Sequence, residues 1–433
     1  MNTIKLVVIG GGSSYTPQLI EEIIQQYEVL PVAEIWLVDI LEGRKRLSIV
    51  TNLAKRMVTR AGYPIKIIDT LDRRQAIKGA TYIITQIRVG GLSMRQRDES
   101  ICLKHGVIAQ ETTGAAGFMN ALRTIPVMLD ICEDIEELAP DAWLLNITNP
   151  CGIITEAIYK HTNIKVVGLS ETPTHFYQTF AEMYQVPKKD INISFVGTNH
   201  LLWVTELFIK GKSKLTDMML SDSTISEVND KTNSLGLDPF FLQTYGAIPC
   251  NHHPYYLETE KILMKQKEAY KEGNLPSDGR TREETTLFSI YERKSTIELP
   301  KGLEDREGAA CAEAAINVIK SIHYDQKQVH TVSVCNNGAI PCLPDDACIQ
   351  VNSVVEQHRI SPLNSEIILP HIRGLLQLIK AFEELTVEAA VTRNMGICLQ
   401  ALALHPLVPA EKAHALIQDL FMENEAYFHP VFY

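Results

Sequence analysis

The stretch Ile4-Lys5-Leu6-Val7-Val8-Ile9, followed at once by Gly10-Gly11-Gly12-Ser13-Ser14-Tyr15-Thr16-Pro17, decides how this chain folds. Six residues with a single charge read as a strand buried on both faces. The glycines break it, Thr16 is placed to cap a helix, and Pro17 suits a first helical position. Leu19, Ile20, Ile23, Ile24 and Tyr27 then recur on one helical face. A second strand, Ile35 to Val38, ends at Asp39. Strand, glycine turn and helix N-terminus together form a phosphate-binding device, because glycine lets backbone approach a diphosphate and the helix end favours its charge. Gly10 and Gly12 occupy the first two fingerprint positions; Tyr15 stands at the third, a departure that widens the helix–strand packing. Asp39 is placed to accept ribose hydroxyls and to repel a 2′-phosphate, which favours NAD over NADP. Arg44, Lys45 and Arg46 nearby leave that choice open. The candidate cofactor contacts are Gly10, Gly11, Gly12, Ser13, Asp39 and, from a later strand end, Arg88.

Outward from this unit the alternation continues. Leu47, Val50, Leu53 and Met57 mark a helix that Gly62 can end, and strands are expected at Tyr82 to Ile87, Trp143 to Ile147 and Lys165 to Leu169. Strands alternating with helices predict an α/β fold with a doubly wound parallel sheet. Gln86-Ile87-Arg88-Val89-Gly90-Gly91 and Asn146-Ile147-Thr148-Asn149-Pro150 close two of these strands, where such sheets hold ligands. Beyond Phe195 the pattern changes. A strand end at Phe195 to His200 is expected, then a polar helix at Lys261 to Lys271, a loop from Lys271 to Arg282, and helices at Glu304 to His323 and after Leu369. The expected division is a Rossmann domain over residues 1–195 and a mixed α/β domain over 196–433, carrying substrate, metal and oligomer contacts.

Composition narrows the function. With 41 lysines and arginines against 52 aspartates and glutamates, the 433-residue chain carries a formal charge of −11, which argues against a nucleic-acid binder. No uncharged apolar run approaches the ~20 residues of a membrane helix. Glycines come too early for a secretory signal. Nine cysteines are scattered without a C-x-x-C pair, as expected of reduced thiols in the cytoplasm.

These motifs carry a resemblance. The strings VVIGGGSSYTP from Val7, EIWLVDI from Glu34, TQIRVGGLSMRQRDE from Thr85, QETTGAAGFMNALRTIPV from Gln110, NITNPCGIITEA from Asn146, GTNH from Gly197 and CNNGAIPCLPDDA from Cys335 resemble glycoside hydrolase family 4, in its 6-phospho-β-glucosidase branch. The resemblance runs almost end to end. It implies a fold like that of lactate and malate dehydrogenases, a homodimer or homotetramer, and a small phosphorylated β-glucoside as substrate. It also implies hydrolysis outside the paired-carboxylate scheme. NAD would oxidise the sugar at C3, a tyrosine would remove the acidified C2 proton, and a divalent metal, usually Mn²⁺, would stabilise the enediolate. The aglycone would leave, water would add and the hydride would return. On the same resemblance Arg95 holds the sugar or its 6-phosphate, Asn149 binds a sugar hydroxyl and His200 is a metal ligand.

The chemical half departs from the family pattern. The family's second metal ligand is a cysteine; the matching position is Ser170, a neutral oxygen that is a poor replacement for thiolate. The family's base tyrosine falls at Ala310, or at Cys311 with a slip of one residue, and neither is a phenol. Glu171, His175, His252 and His253 are polar residues expected near the pocket; Glu171 could give an anionic oxygen beside His200. The departures fit three outcomes: a hydrolase with a rewired site, a sugar oxidoreductase without elimination, or a degenerate paralogue that binds NAD and sugar phosphate.

Overall fold

The computed structural model describes residues 4–231, 237–303, 306, 308, 310–365, 368–428 and 432. Six parallel strands form the first half of the main sheet: β1 Ile4–Ile9, β2 Val32–Val38, β3 Lys66–Thr70, β4 Tyr82–Thr85, β5 Trp143–Asn146 and β6 Lys165–Gly168. Their spatial order is β3-β2-β1-β4-β5-β6, so the chain reverses direction between β1 and β4. Alternate residues explain why both faces are covered. Val7, Ile9, Ile83 and Leu144 face one apolar core, and Leu6, Val8, Ile35 and Leu145 face the other. The helix Gly114–Leu138 supplies the first core, and the helices Thr16–Gln25 and Arg44–Ala61 the second.

The second half adds a hairpin sheet and completes the first. The hairpin strands are β7 Ile191–Thr198 and β8 Leu201–Ile209, with the short β9 Lys212–Ser213 and β10 Ile248–Pro249 pairing to β8. Three antiparallel strands, β11 Gln328–Cys335, β12 Cys348–Val355 and β13 Ile360–Pro362, extend the parallel sheet beyond β6 to nine strands. The division at residue 195 therefore falls inside β7, and part of the later sequence returns to the earlier sheet. Nothing in local composition signals that long-range pairing.

Three local expectations are corrected. The segment 271–282 is not a loop throughout, because Lys271 closes the helix Thr259–Lys271 and a new helix starts at Asp278. Tertiary bonds order it: buried Glu99 accepts from the backbone and side chain of Ser277, and Asp278 accepts from Gln96 and from the Leu275 backbone. The later helix is Ala310–His323; of the expected residues before it, Arg306 and Gly308 lie outside the helix, and residues 304, 305, 307 and 309 lie outside the described residues. Thr16 is the first helical residue rather than the cap, and its hydroxyl donates to the Gly11 carbonyl at 2.9 Å. Among the described residues, no helix is long and apolar enough to cross a membrane.

A buried charge cluster joins the halves. Lys380, on the helix Pro370–Thr392, lies 2.9 Å from Glu156 and 2.5 Å from Glu383, and Glu156 also accepts from the Cys348 backbone of β12. Removing the cation strands buried Glu383 and leaves Glu156 with Lys160, at 2.9 Å, and the Cys348 backbone. Lys380→Met is expected to destabilise the protein by about 3–5 kcal/mol, and the same change with Glu156→Gln and Glu383→Gln to recover most of it. Thermal melts of the variants check both.

Burial also holds His253 and His405 neutral down to about 3 in the folded protein. In the unfolded chain both charge near pH 6.5, so that state binds more protons at lower pH and stability must fall as pH drops from there. The limit is about 1.4 kcal/mol per pH unit for each histidine. Melting temperatures between pH 7 and 5 should fall less steeply for His405→Gln than for the wild type.

Candidate active site

The carboxyl ends of β1, β2, β4, β5 and β6 carry, in turn, the glycine turn, Asp39, Gln86 to Arg88, Asn146 to Asn149, and Ser170 with Glu171. At the first of these the glycines are sterically required. Gly10 has φ +87°, and a Cβ there would sit 2.4 Å from the Gln86 carbonyl oxygen. A Cβ on Gly11 would meet Leu37 backbone at 2.9 Å. The turn is pinned to β2 by Asp39, whose carboxylate accepts from the Gly12 backbone at 2.8 Å and from Ile40 at 2.9 Å. The Gln86 amide donates to Thr16 at 2.7 Å, tying the helix start to β4. Ser13 accepts from the Tyr15 backbone, so its side chain braces the turn from within. This glycine cradle, with an acid at the neighbouring strand end, fits an adenine dinucleotide.

Arg88 is drawn elsewhere. It pairs with Glu111, as does Arg95 at 2.7 Å, and Arg95 also holds the buried Glu99 at 2.7 Å. Burial would push the Glu111 carboxyl up, but Arg88, Arg95 and Arg280 outweigh it and hold it at about 2. Arg88 thus joins the cationic cluster around Arg95 rather than the glycine turn. Glu111 went unselected in the sequence, although it lies in the quoted QETTGAAG string. The cluster sets Arg88, Arg95 and Arg280 against Glu99, Glu111 and Glu283, and its guanidinium forks match the geometry of an anionic group. The backbone carbonyl of Asn149 accepts from Asn120 at 3.0 Å, and no hydrogen bond within the described residues engages its side-chain amide.

His200 sits in the two-residue turn between β7 and β8, held at φ +66°, a conformation rarely kept by a bulky residue without a local reason. Burial lowers its pKa to about 4 despite the charges of Glu111 and Glu171. The His252 ring packs edge-on at 4.3 Å, and burial with His200 beside it keeps His252 neutral as well. His253 turns away, against Trp203 at 4.4 Å and the Cys250 carbonyl at 3.1 Å, and is a core residue. His175 is the 3.3 Å partner of Glu171, whose carboxylate also receives the Gly308 backbone N–H.

The protein donors that a divalent metal could use here are few, with His200 the one imidazole expected to hold it. No three His, Cys, Asp or Glu side chains among the described residues are grouped to hold one. The Ser170 hydroxyl accepts from Gln350 at 2.8 Å, and the carboxylates near His200 are engaged by arginines or backbone. The nearby Cys151 thiol is pushed up to about 12 by burial, so it offers no thiolate. Ala310, the position expected for the base, opens its helix half-buried, and its neighbour Cys311 lies close enough to Glu171 to feel its charge.

A six-stranded parallel unit of this order, with glycine turn and acid, defines a dinucleotide-binding α/β protein. A malate dehydrogenase from Cryptosporidium parvum shares the fold with TM-score 0.55 at 14% identity. The models of the family 4 glycosyl hydrolases and of their C-terminal domain match residues 5–186 and 195–408, and the chain belongs to that family. It is 41% identical to a probable 6-phospho-beta-glucosidase of Bacillus subtilis over 99% of this chain and 98% of that one. It is 35% identical to the 6-phospho-beta-glucosidase of Escherichia coli over 98% and 95%. The 6-phospho-beta glucosidase of Thermotoga maritima, solved with manganese, NAD+ and glucose-6-phosphate, superposes with TM-score 0.87 at 30% identity, covering 98% and 99%.

Asp39 is the residue on which the turn hangs. Asp39→Ala is expected to weaken NAD binding about 10- to 100-fold, the equivalent of one or two charge-assisted hydrogen bonds, and to narrow the preference over NADP. Titrations of both dinucleotides check it.

Proposed function

We propose that this protein hydrolyses 6-phospho-β-glucosides with NAD as a resident redox cofactor, in carbohydrate breakdown in the cytoplasm. The observation that carries the reading is the shared strand edge: Asp39 and the glycine turn lie on the same rim as Asn149, Ser170 and Glu171, and His200 is within charge reach of Glu171 and Glu111. The relatives named above point to the same substrate class. NAD, when bound, supplies a reversible hydride acceptor, which acidifies the proton on the carbon beside the oxidised one.

The chain's own groups would do the rest. Asp39 orients the adenosine ribose, Gly10 to Ser13 receive the diphosphate, and Arg95 with Arg88 takes the sugar's anionic end. Asn149 holds a sugar hydroxyl through its amide. No phenol stands at Ala310. The neutral ring of His252, with Nδ1 2.9 Å from the Asn251 side-chain oxygen, packs against His200 and is the proton acceptor of this reading. The ring is unprotonated near neutral pH and so can accept a proton, although the burial that disfavours its imidazolium form weakens it as a base. The relative from Thermotoga maritima was solved with manganese; His200 would hold such an ion here, and it would supply a positive charge to polarise the sugar's oxygens. A homodimer or homotetramer completes the proposal.

One observation favours a second reading. Ser170 is committed to Gln350 where the family pattern has cysteine, as expected of a paralogue that binds NAD and sugar phosphate without turnover. A chromogenic 6-phospho-β-glucoside with NAD, assayed with and without Mn²⁺, separates them. The expected result is NAD-dependent aglycone release that falls about 10²- to 10⁴-fold in His252→Ala. NAD binding without turnover on any such substrate would leave the second reading.

A further inference from the structure

Nine cysteines are scattered along the sequence, but the fold sets two of them face to face. Cys335 ends β11, Cys348 begins β12, and the register of this antiparallel pair places them directly opposite one another. The hydrogen bonds say which kind of pair it is. One step toward the loop, the Asn336 backbone N–H donates to the Ala347 carbonyl at 2.9 Å; the Cys348 N–H points away from β11, to Glu156 at 2.8 Å. Opposed residues alternate between bonded and non-bonded pairs, so Cys335 and Cys348 form a non-bonded one, with Cα atoms about 4.5 Å apart and side chains at their closest. A disulfide spans Cα separations of about 4.4–6.8 Å, so the backbone of this hairpin already has the spacing.

The side chains also share a face, because directly opposed residues project to the same side of a sheet. The helix Cys151–His161 covers that side: its Tyr159 phenol is pushed up by burial first, and then by neighbours that include both thiols. The two sulfurs differ in access. Cys348 is 1% exposed, whereas Cys335 is half-buried and its thiol makes only long contacts, to the Asp345 carbonyl at 3.3 Å and the Asn337 side-chain oxygen at 3.6 Å. Rotation about one side-chain bond gives those contacts up. Among the described residues, no other cysteine lies in a strand.

We infer that Cys335 and Cys348 are a reversible disulfide site, oxidised by a small disulfide such as oxidised glutathione. The accessible sulfur reacts first. Cys335 attacks the small disulfide, its proton passes to the thiolate that leaves, and the other half stays bound as a mixed disulfide. Cys348 then attacks the Cys335 sulfur and its proton passes to the second departing thiolate. Two protein thiols are thereby oxidised, and one small disulfide is reduced to two thiols. Burial raises both thiols, Cys348 the more strongly, so the bond forms slowly. It closes the loop 336–347, inside which the buried Asn336 amide donates to the carbonyls of Ile340, Leu343 and Pro344. It also fixes the start of β12 two residues from Gln350, the partner of Ser170.

The test incubates the whole folded protein with excess oxidised glutathione, blocks remaining thiols by alkylation and maps the digested peptides by mass, with Cys335→Ser and Cys348→Ala run beside it. The expected result is a peptide pair joined through Cys335 and Cys348, lighter by two hydrogens than its reduced parts and separated again by dithiothreitol. Cys335→Ser should show no joined pair, and Cys348→Ala should hold glutathione on Cys335. The half-buried Cys335 position carries the test if the Cys348 variant does not fold. Joined protein should melt higher than reduced protein, because the crosslink acts chiefly by restricting the unfolded chain. Four results overturn the inference: no oxidation at either residue, glutathione kept on Cys335 in the wild type, a bond to any other cysteine, or joined protein that melts lower.

Discussion

The structure depends on the close approach of β1, β2 and β4 at their carboxyl ends. There the backbone of Gly10 comes so near Gln86 that no Cβ fits, and the Asp39 carboxylate takes the N–H of Gly12. One anionic side chain and two glycines fix where the first helix starts and which way its positive end points. The rest follows from that placement. Gln86 carries the constraint to Arg88 and so to Glu111, and the parallel sheet carries it across β5 and β6 to Asn149, Ser170 and Glu171. Without it the rim would hold polar residues but no oriented cradle.

Two electrostatic environments meet on this rim. Around Arg95 the charges are dense and offset: guanidinium groups hold the Glu111 carboxyl low although burial opposes them. Around His200 two buried, neutral imidazoles pack edge to face, and a serine hydroxyl is turned to Gln350. The first environment suits an anion. The second suits the uncharged reacting carbons of a sugar and a proton acceptor that is free near neutral pH. Gln350 ties the second to β12, which Glu156 and Lys380 hold in place, so the later half of the chain shapes the chemistry of a strand end in the earlier half.

The parallel sheet, the glycine turn and an acid at the end of β2 were legible in the sequence because each depends on local pattern, whereas the bond from Gly12 to Asp39 was not read from it. An apolar run, a φ that glycine tolerates and an acid at a strand end lie within forty residues. The antiparallel strands β11 to β13 were not legible as part of that sheet, since only one residue pair, Ser333 with Gly168, joins them to β6 across a long separation. The helix at Asp278 was hidden by its loop-like composition and exists through tertiary bonds to Glu99 and Gln96. In the site, His200 and Arg95 could be named from their motifs. The packing of His252 on His200 and the pull of Glu111 on Arg88 come from residues distant in sequence, which no spacing rule brings together. Of the two adjacent histidines, composition could not say that one faces the site and the other the core.

The most direct test of the central claim is a crystal structure of the protein soaked with NAD. The account expects the diphosphate against the backbone of Gly11 to Ser13 and the adenosine ribose hydroxyls on the Asp39 carboxylate, with the nicotinamide toward Asn149 and His200. A dinucleotide bound elsewhere, or a cradle that stays empty at saturating NAD, would contradict it.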